Sequence, residues 1–431
     1  MNAVASFFLF VAASLLLLLP RRLALLPLLV GATYLSQSQG VEIGPLHFTA
    51  IRILLAFGAL RALARMERID GGLQKIDWLV IVWGVIVVVS GLFHQDAGSA
   101  LVLRMGMGYD VLGIYFLLRL FIHGEEKLRR LTKMVIVTLI PVAIEMAIES
   151  VTGRNGFSLL GGVVAESEFR NGHFRAQGPF AHSILAGTVG ALSWPLLLPY
   201  WRRQTALSLL GLVACCSIVF TSRSSGPISS VVVVFFGLCI WRIRHYMGAI
   251  RWGGLWAVVA LQIVMTAPVY YLMARIDFTG SSTGLHRAAL IQSAVEHFSE
   301  WWVAGTDYTR HWMATGVDWS PDHSDITNHY IKMGVIGGMP LMIAFIAILV
   351  EGFRVVQKTL GISKNTRFEV RYMAWSMGAI LFGHAVTFIS VSYFDQSMNF
   401  YLMVVAGIAA AFTEANGRVK KARVASNLCI V

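Results

Sequence analysis

ARIDFTGSSTGLHRAALIQSAVEHFSEWWVAGTDYTRHWMATGVDWSPDHSDITNHYI, residues 274–331, is the longest polar interval in an otherwise apolar chain. It holds five of the twelve histidines, seven carboxylates and three arginines. On either side lie apolar runs of membrane-spanning length joined by short loops. The interval therefore reads as a large loop set into a transmembrane scaffold. Ionisable residues gathered at one place in such a protein point to a functional site.

Composition supports that division. The chain has 431 residues, 56% hydrophobic and only 13% charged, with mean hydropathy +0.67. A soluble protein carries roughly 25% charged residues. The expected fold is all-α, a polytopic helical bundle forming one membrane domain over 1–417, followed by a basic tail at 418–431. The net charge of +12 does not indicate nucleic acid, because the basic residues sit in short loops between apolar runs. Cys215, Cys216, Cys239 and Cys429 form neither a disulfide framework nor a zinc motif. The N-terminal run ends at Pro20-Arg21-Arg22 with no small-residue cleavage pattern, so it reads as a retained helix.

Apolar runs fall at 4–19, 23–38, 48–64, 77–93, 105–122, 131–150, 181–200, 205–221, 227–241, 252–273, 332–353, 371–391 and 397–413. The first two are short, which gives an expected count of about twelve spans. Lys and Arg cluster at 21–22, 61–75, 127–133, 202–203, 242–251, 354–371 and 418–423, and these segments are assigned to the cytoplasm. Loops 36–47, 94–104, 151–180, 222–226, 274–331 and 392–396 then share the opposite side. Within the largest, Leu290, Ile291, Ala294, Val295, Phe298, Trp301 and Trp302 recur at helical spacing. An amphipathic surface helix over 285–302 is expected, with Ser281, Ser282 or Thr283 as N-cap. No internal repeat is visible.

Four segments on that side stand out: Arg175-Ala-Gln-Gly-Pro-Phe-Ala-His182, Thr221-Ser-Arg223-Ser-Ser-Gly226, Gly284-Leu-His-Arg287, and Asn328-His-Tyr-Ile-Lys-Met-Gly334-Val-Ile-Gly337-Gly338. In order and spacing they resemble the O-antigen ligase and polymerase superfamily of bacterial membrane glycosyltransferases, over roughly residues 170–345. One position departs. The family carries a histidine directly before the asparagine; here that place is Thr327, and His329 follows instead. Either His329 substitutes for it, or no histidine is needed.

The resemblance implies a C-type, inverting, metal-independent glycosyltransferase. It would transfer a glycan from an undecaprenyl-diphosphate carrier to a hydroxyl on lipid or glycan, at the periplasmic face of the bacterial inner membrane. Membrane lipids and a chain-length regulator would be its other partners. The leaving diphosphate gains charge as the sugar bond breaks, and arginine offers a planar, permanently charged fork. Arg175, Arg223 and Arg287 are the candidate diphosphate ligands, Arg287 also being a candidate catalytic residue. His329 is the leading general base, with Asp325, Asp322 and Asp307 as rivals. Asn328, His182 and Tyr330 are candidate substrate contacts.

Plainer roles stand beside these. Asn328 suits an N-cap, and Gly334, Gly337 and Gly338 suit close packing. Arg52 either binds substrate or pairs with a carboxylate such as Asp110, and Arg104 carries the same ambiguity. Asp322, His323, Asp325 and His329 lack zincin spacing, so neither metal nor cofactor is expected. Polymerase is slightly preferred over ligase. The competing reading is a transporter or flippase for a lipid-linked sugar, which would require paired broken helices near the midplane and symmetrical halves.

Overall fold

The computed structural model describes residues 1–44, 46–122, 124–275, 284–318, 320–361 and 368–428, with side chains left out at 124, 125, 127 and 413–428. In chain order the helices are α1 (Ala3–Leu18), α2 (Leu25–Tyr34), α3 (Ala50–Ala64), α4 (Lys75–Ser90), α5 (Ala97–Phe121), α6 (Gly124–Thr152), α7 (Ser183–Ser193), α8 (Thr205–Thr221), α9 (Ser225–Cys239), α10 (Met247–Val264), α11 (Gly284–Glu296), α12 (Phe298–Trp301), α13 (His329–Gly361), α14 (Phe368–Thr387) and α15 (Ser397–Leu428). Three antiparallel hairpins join them: β1–β2 (Gly40–Ile43, Leu46–Thr49), β3–β4 (Glu168–Arg170, His173–Arg175) and β5–β6 (Gly316–Val317, Ser320–Ser324). The basic tail is not a separate coil, since α15 runs through it to Leu428.

Every apolar run in the sequence falls on helix, as an α-helical membrane protein requires, but the expected dozen spans is not met. Among the described residues six stretches are long and apolar enough to cross a membrane: Lys75–Phe93, Ala97–Phe121, Leu128–Thr152, Ser183–Tyr200, Ser225–Val264 and His329–Gly361. Four others, Ala3–Leu18, Leu25–Tyr34, Thr205–Thr221 and Ser397–Phe412, are apolar but shorter. At 1.5 Å per residue, the ten residues of α2 reach about 15 Å, half of a hydrocarbon core. The runs at 227–241 and 252–273 form one helical stretch broken at Ile243. Apolar composition marks what is embedded; it does not fix how many times the chain crosses.

The centre of the bundle is α15. Residues 400–412 are buried on every side, against α5, α6, α7, α13 and α14. The sequence NFYLMVVAGIAAAF explains why. It has no polar stripe to turn toward solvent, and its Ala and Gly residues allow close approach of neighbouring helices. By contrast α10 buries no residue at all.

The loops expected to share one side do meet. Met1 and Asn2 bond Gly40 and Leu159, Ser36 and Ser38 bond Gly162, His94 pairs with Asp307, and Gln396 bonds Leu35 and Pro179. The basic segments gather at the other ends of the helices. There Arg61 pairs with Glu67 and caps the Leu16 and Leu19 carbonyls of α1, while Arg129 and Arg203 both reach Glu369. Arg52 forms a bidentate pair with Asp110, Nε to Oδ1 at 2.9 Å and a terminal nitrogen to Oδ2 at 2.8 Å. That places Arg52 in a structural pair. Arg104 has no such partner among the described residues: it is 9% exposed and donates to Met107 Sδ at 3.6 Å.

Candidate active site

The segment Arg175–His182 is held by two buried carboxylates that come from distant parts of the chain. Glu149, near the end of α6 and 0% exposed, accepts from Ser167 Oγ (2.7 Å), Gln177 N (3.0 Å) and Gly178 N (2.8 Å). Asp395, in the loop before α15, accepts from Ala181 N at 2.8 Å and Ser397 N at 2.8 Å. Burial pushes the Asp395 carboxyl up, against the bonds from Ser397 and Ala181 and the charge of Lys332. Gln396 adds a bond to the Pro179 carbonyl at 2.8 Å. A loop gripped at residues 177, 178, 179 and 181 presents its ends at fixed positions.

One end is Arg175, the last residue of β4, only 5% exposed. Its terminal nitrogens donate to Glu168 Oε2 at 2.5 Å and Ser224 Oγ at 2.8 Å. Its Nε is buried and bonds nothing among the described residues. Burial draws the guanidinium below its ordinary value, opposed by Glu168 and reinforced by Arg170. The contact to Ser224, with Ala176 N bonding the Thr221 carbonyl at 3.1 Å, joins the first motif to the second. Between them Arg223 adopts φ +47°, a left-handed conformation costing a non-glycine residue about 1–2 kcal/mol. That turn lets Ser222 and Ser224 both point inward while Arg223 stays exposed, its guanidinium 5.5 Å from the Phe220 ring. Arg223 thus stands next to Ser224, the partner of Arg175, without aiming at the same space.

The other end is His182, the N-cap of α7, whose Nδ1 accepts from Ile184 N at 3.1 Å. In the neutral ring the proton then sits on Nε2, which makes His182 a donor. Burial lowers its pKa, Arg175 lowers it further, and Glu168 and Asp325 oppose them. Asp325 also raises the pKa of Arg287, which burial lowers. Arg287 stands in the first turn of α11, and its Nε is buried without a partner among the described residues. His182 therefore lies within electrostatic reach of Arg175 and Asp325, and Asp325 within reach of Arg287, a chain of contacts from three segments.

The large loop carrying Arg287 and Asp325 is docked by glycines. A Cβ on Gly334 would sit 2.5 Å from the Trp301 ring, and one on Gly338 2.4 Å from the Val303 carbonyl oxygen. At Gly337–Gly338 the helix α13 breaks, with Gly338 at φ +71°. Thr306 N bonds the Val335 carbonyl at 3.0 Å and Met339 N bonds the Trp302 carbonyl at 2.8 Å, so loop and broken helix share their backbone bonds. The expected surface helix is present as α11 and α12; Leu290, Ala294 and Trp301 are buried against Ile331 and Val335, while Val295, Phe298 and Trp302 are exposed. Its expected N-cap, Ser281, Ser282 or Thr283, lies outside the described residues.

Three candidates hold structural positions. Asn328 is the N-cap of α13, its Oδ1 accepting from Tyr330 N at 2.9 Å and Ile331 N at 3.1 Å. Tyr330 donates to the Ala385 carbonyl at 2.8 Å. His329 is 2% exposed among Phe345, Phe388 and Tyr393, with ring centroids 5.0, 4.7 and 5.9 Å away. Its Nδ1 accepts from Tyr393 N at 3.2 Å, and its Nε2 is buried. Enclosed by aromatic rings, His329 is buried and not open to solvent. Asp307 is committed too: Gln95 N and His94 hold it, and with Arg104 they keep its pKa low although burial raises it. Asp325, 57% exposed at its side chain and 3.9 Å from His286 Nε2, is the rival carboxylate within electrostatic reach of His182 and Arg287.

Glu168, Glu149 and Asp395 carry no motif signature, and Ser224 stands in the second motif only as one of its small residues. A carboxylate inside or beside an apolar run signals burial, but the partner it bonds is set by folding. Comparison of the chain with models of protein families, with curated proteins and with solved structures found no match.

Proposed function

We propose that this chain is a membrane glycosyltransferase that moves a glycan from undecaprenyl diphosphate to an acceptor hydroxyl during O-antigen or exopolysaccharide assembly, as a polymerase in preference to a ligase. The observation that carries the reading is the pair Arg175 and Arg287, each with a buried Nε–H that bonds nothing among the described residues, linked electrostatically through His182 and Asp325. The four motifs that resemble the O-antigen ligase and polymerase superfamily add to it, as does the gathering of their loops on one face.

In this mechanism the diphosphate oxygens take the Nε–H groups of Arg175 and Arg287 and the Nε2–H of His182. The acceptor oxygen bonds to the anomeric carbon as the carbon–oxygen bond to the diphosphate breaks, with inversion. The electron pair leaves with the diphosphate, and the acceptor proton passes to Asp325. Donors fixed before the charge develops stabilise the transition state without reorganising, and the two buried carboxylates supply that fixity. The site faces the periplasm, across the bacterial inner membrane from the basic loops. Transport is the weaker reading: the break in α13 lies near that helix's outer end, and the other among the described residues, at Ile243, lies between the basic residues Arg242 and Arg244, so the two do not pair at the midplane.

The test is in vitro. Purified protein mixed with lipid-linked repeat units releases undecaprenyl diphosphate and lengthens the glycan. If Arg175→Ala and Arg287→Ala leave that conversion at the wild-type rate, the assignment is wrong. Translocation of labelled lipid without glycan growth would establish transport instead.

A further inference from the structure

At the far end of α11 from Arg287 lies a second cluster that the transfer reaction does not use. His297 follows α11, Glu300 lies in α12, and His311 sits in the 3-10 turn Arg310–Trp312. One ligand atom from each can be chosen so that all three lie within 4.8 Å of one another. We propose that His297, Glu300 and His311 form a zinc site that clasps α11 and α12 to the Tyr308–Trp312 turn, leaving a fourth position for water.

Each ligand is held by a partner of its own. His297 Nδ1 lies 2.9 Å from the Ser293 carbonyl oxygen, to which it donates, and this leaves the Nε2 lone pair free. Such a bond to a carbonyl fixes the tautomer and ring plane of metal-binding histidines. Trp312 Nε1 donates to Glu300 Oε2 at 3.0 Å and holds the carboxylate. Tyr308 stacks on His311 at 5.0 Å with the rings 13° apart. His311 Nε2 sits 3.0 Å from Glu300 Oε2. Zinc bonds of about 2.0–2.2 Å place tetrahedral ligand atoms about 3.3 Å apart. The exposed side chains of Glu300 and His311 close that gap by rotation, and His311 gives up its Nε2 proton. Two imidazoles with one carboxylate suit Zn²⁺; Mg²⁺ and Ca²⁺ prefer all-oxygen shells. Ten residues of helix, about 15 Å, separate His297 from Arg287, so the ion takes no part in the sugar transfer.

The experiment uses full-length protein in detergent with any affinity tag removed, stripped by chelator and titrated with Zn²⁺ against a chromophoric chelator. One equivalent binds, and a tenfold excess of Mg²⁺ leaves it in place. His311→Ala and Glu300→Gln each weaken binding at least tenfold. His323→Ala, in the same loop but outside the set, does not. Glu300→Gln keeps an acceptor for Trp312, so loss of metal there does not report misfolding. X-ray absorption of the loaded wild-type protein shows two imidazoles in the zinc shell. Equal zinc affinity in the wild type and the Glu300→Gln variant, or a spectrum without imidazole, overturns the proposal.

Discussion

Glu149→Gln tests whether the arginine cluster depends on its buried frame. The wild-type carboxylate accepts three bonds: Oε1 takes Ser167 Oγ and Gln177 N, and Oε2 takes Gly178 N. Glutamine keeps one acceptor oxygen. If it faces Ser167 and Gln177, its amide nitrogen meets the Gly178 N–H, donor against donor. The stranded N–H costs about 1–3 kcal/mol. The two surviving bonds lose their charge assistance, roughly half their strength, or about 1 kcal/mol each. Removing a buried charge returns some desolvation energy, so the expected net loss is about 2–4 kcal/mol. Glu149 is 0% exposed, so no solvent screening reduces that figure. Unfolding in mixed micelles, followed by far-UV circular dichroism, measures it. Glycan extension by the same preparation falls about 100-fold, because a loop shifted by about 1 Å misplaces Arg175. A variant with wild-type stability and wild-type rate would refute the idea that this carboxylate orders the site.

Gly338→Ala forces a Cβ to 2.4 Å from the Val303 carbonyl oxygen at φ +71°, so it destabilises by about 3 kcal/mol or more and loosens 301–306 to proteolysis. His329→Phe leaves the Tyr393 N–H unpaired at a cost of about 1–3 kcal/mol, yet extension stays within threefold of wild type. Asp325→Asn lowers extension at least 100-fold with unchanged stability, and the reverse ranking of these two variants would return the base role to His329. For His182 the folded pKa lies below the unfolded 6.5, so the unfolded state takes up the proton first as pH falls. Stability is full above about 6.5 and declines below it until the folded pKa is reached, and His182→Gln flattens that part of the stability–pH curve.

Much of this was written in the chain. Hydropathy located every helix of the bundle, because an embedded helix must be apolar along its length. Basic clusters sorted the loops, and the spacing of Leu290, Ala294 and Trp301 announced the surface helix. Asn328 before an apolar run announced its N-cap. Three things were not legible. Apolar length did not give the number of crossings, since α2 and α8 are apolar yet short. His329 looks the same in sequence whether it faces substrate or Phe388. For Arg52 the sequence offered substrate or a carboxylate such as Asp110, 58 positions away, and only the fold decides for the pair. The clamps at Glu149 and Asp395 and the trio His297, Glu300 and His311 belong to the same class, in which the neighbours come from folding and not from spacing.

The discontinuity at Gly337–Gly338 also decides where this protein can be cut and rejoined. Residues 329–339 count as the beginning of a transmembrane helix, but the Val335 carbonyl bonds Thr306 N and Met339 N bonds the Trp302 carbonyl. A chimera that exchanges the large loop must carry residues 329–339 with it and join after Met339. A junction placed at the apparent helix start would strip the graft of the backbone it leans on.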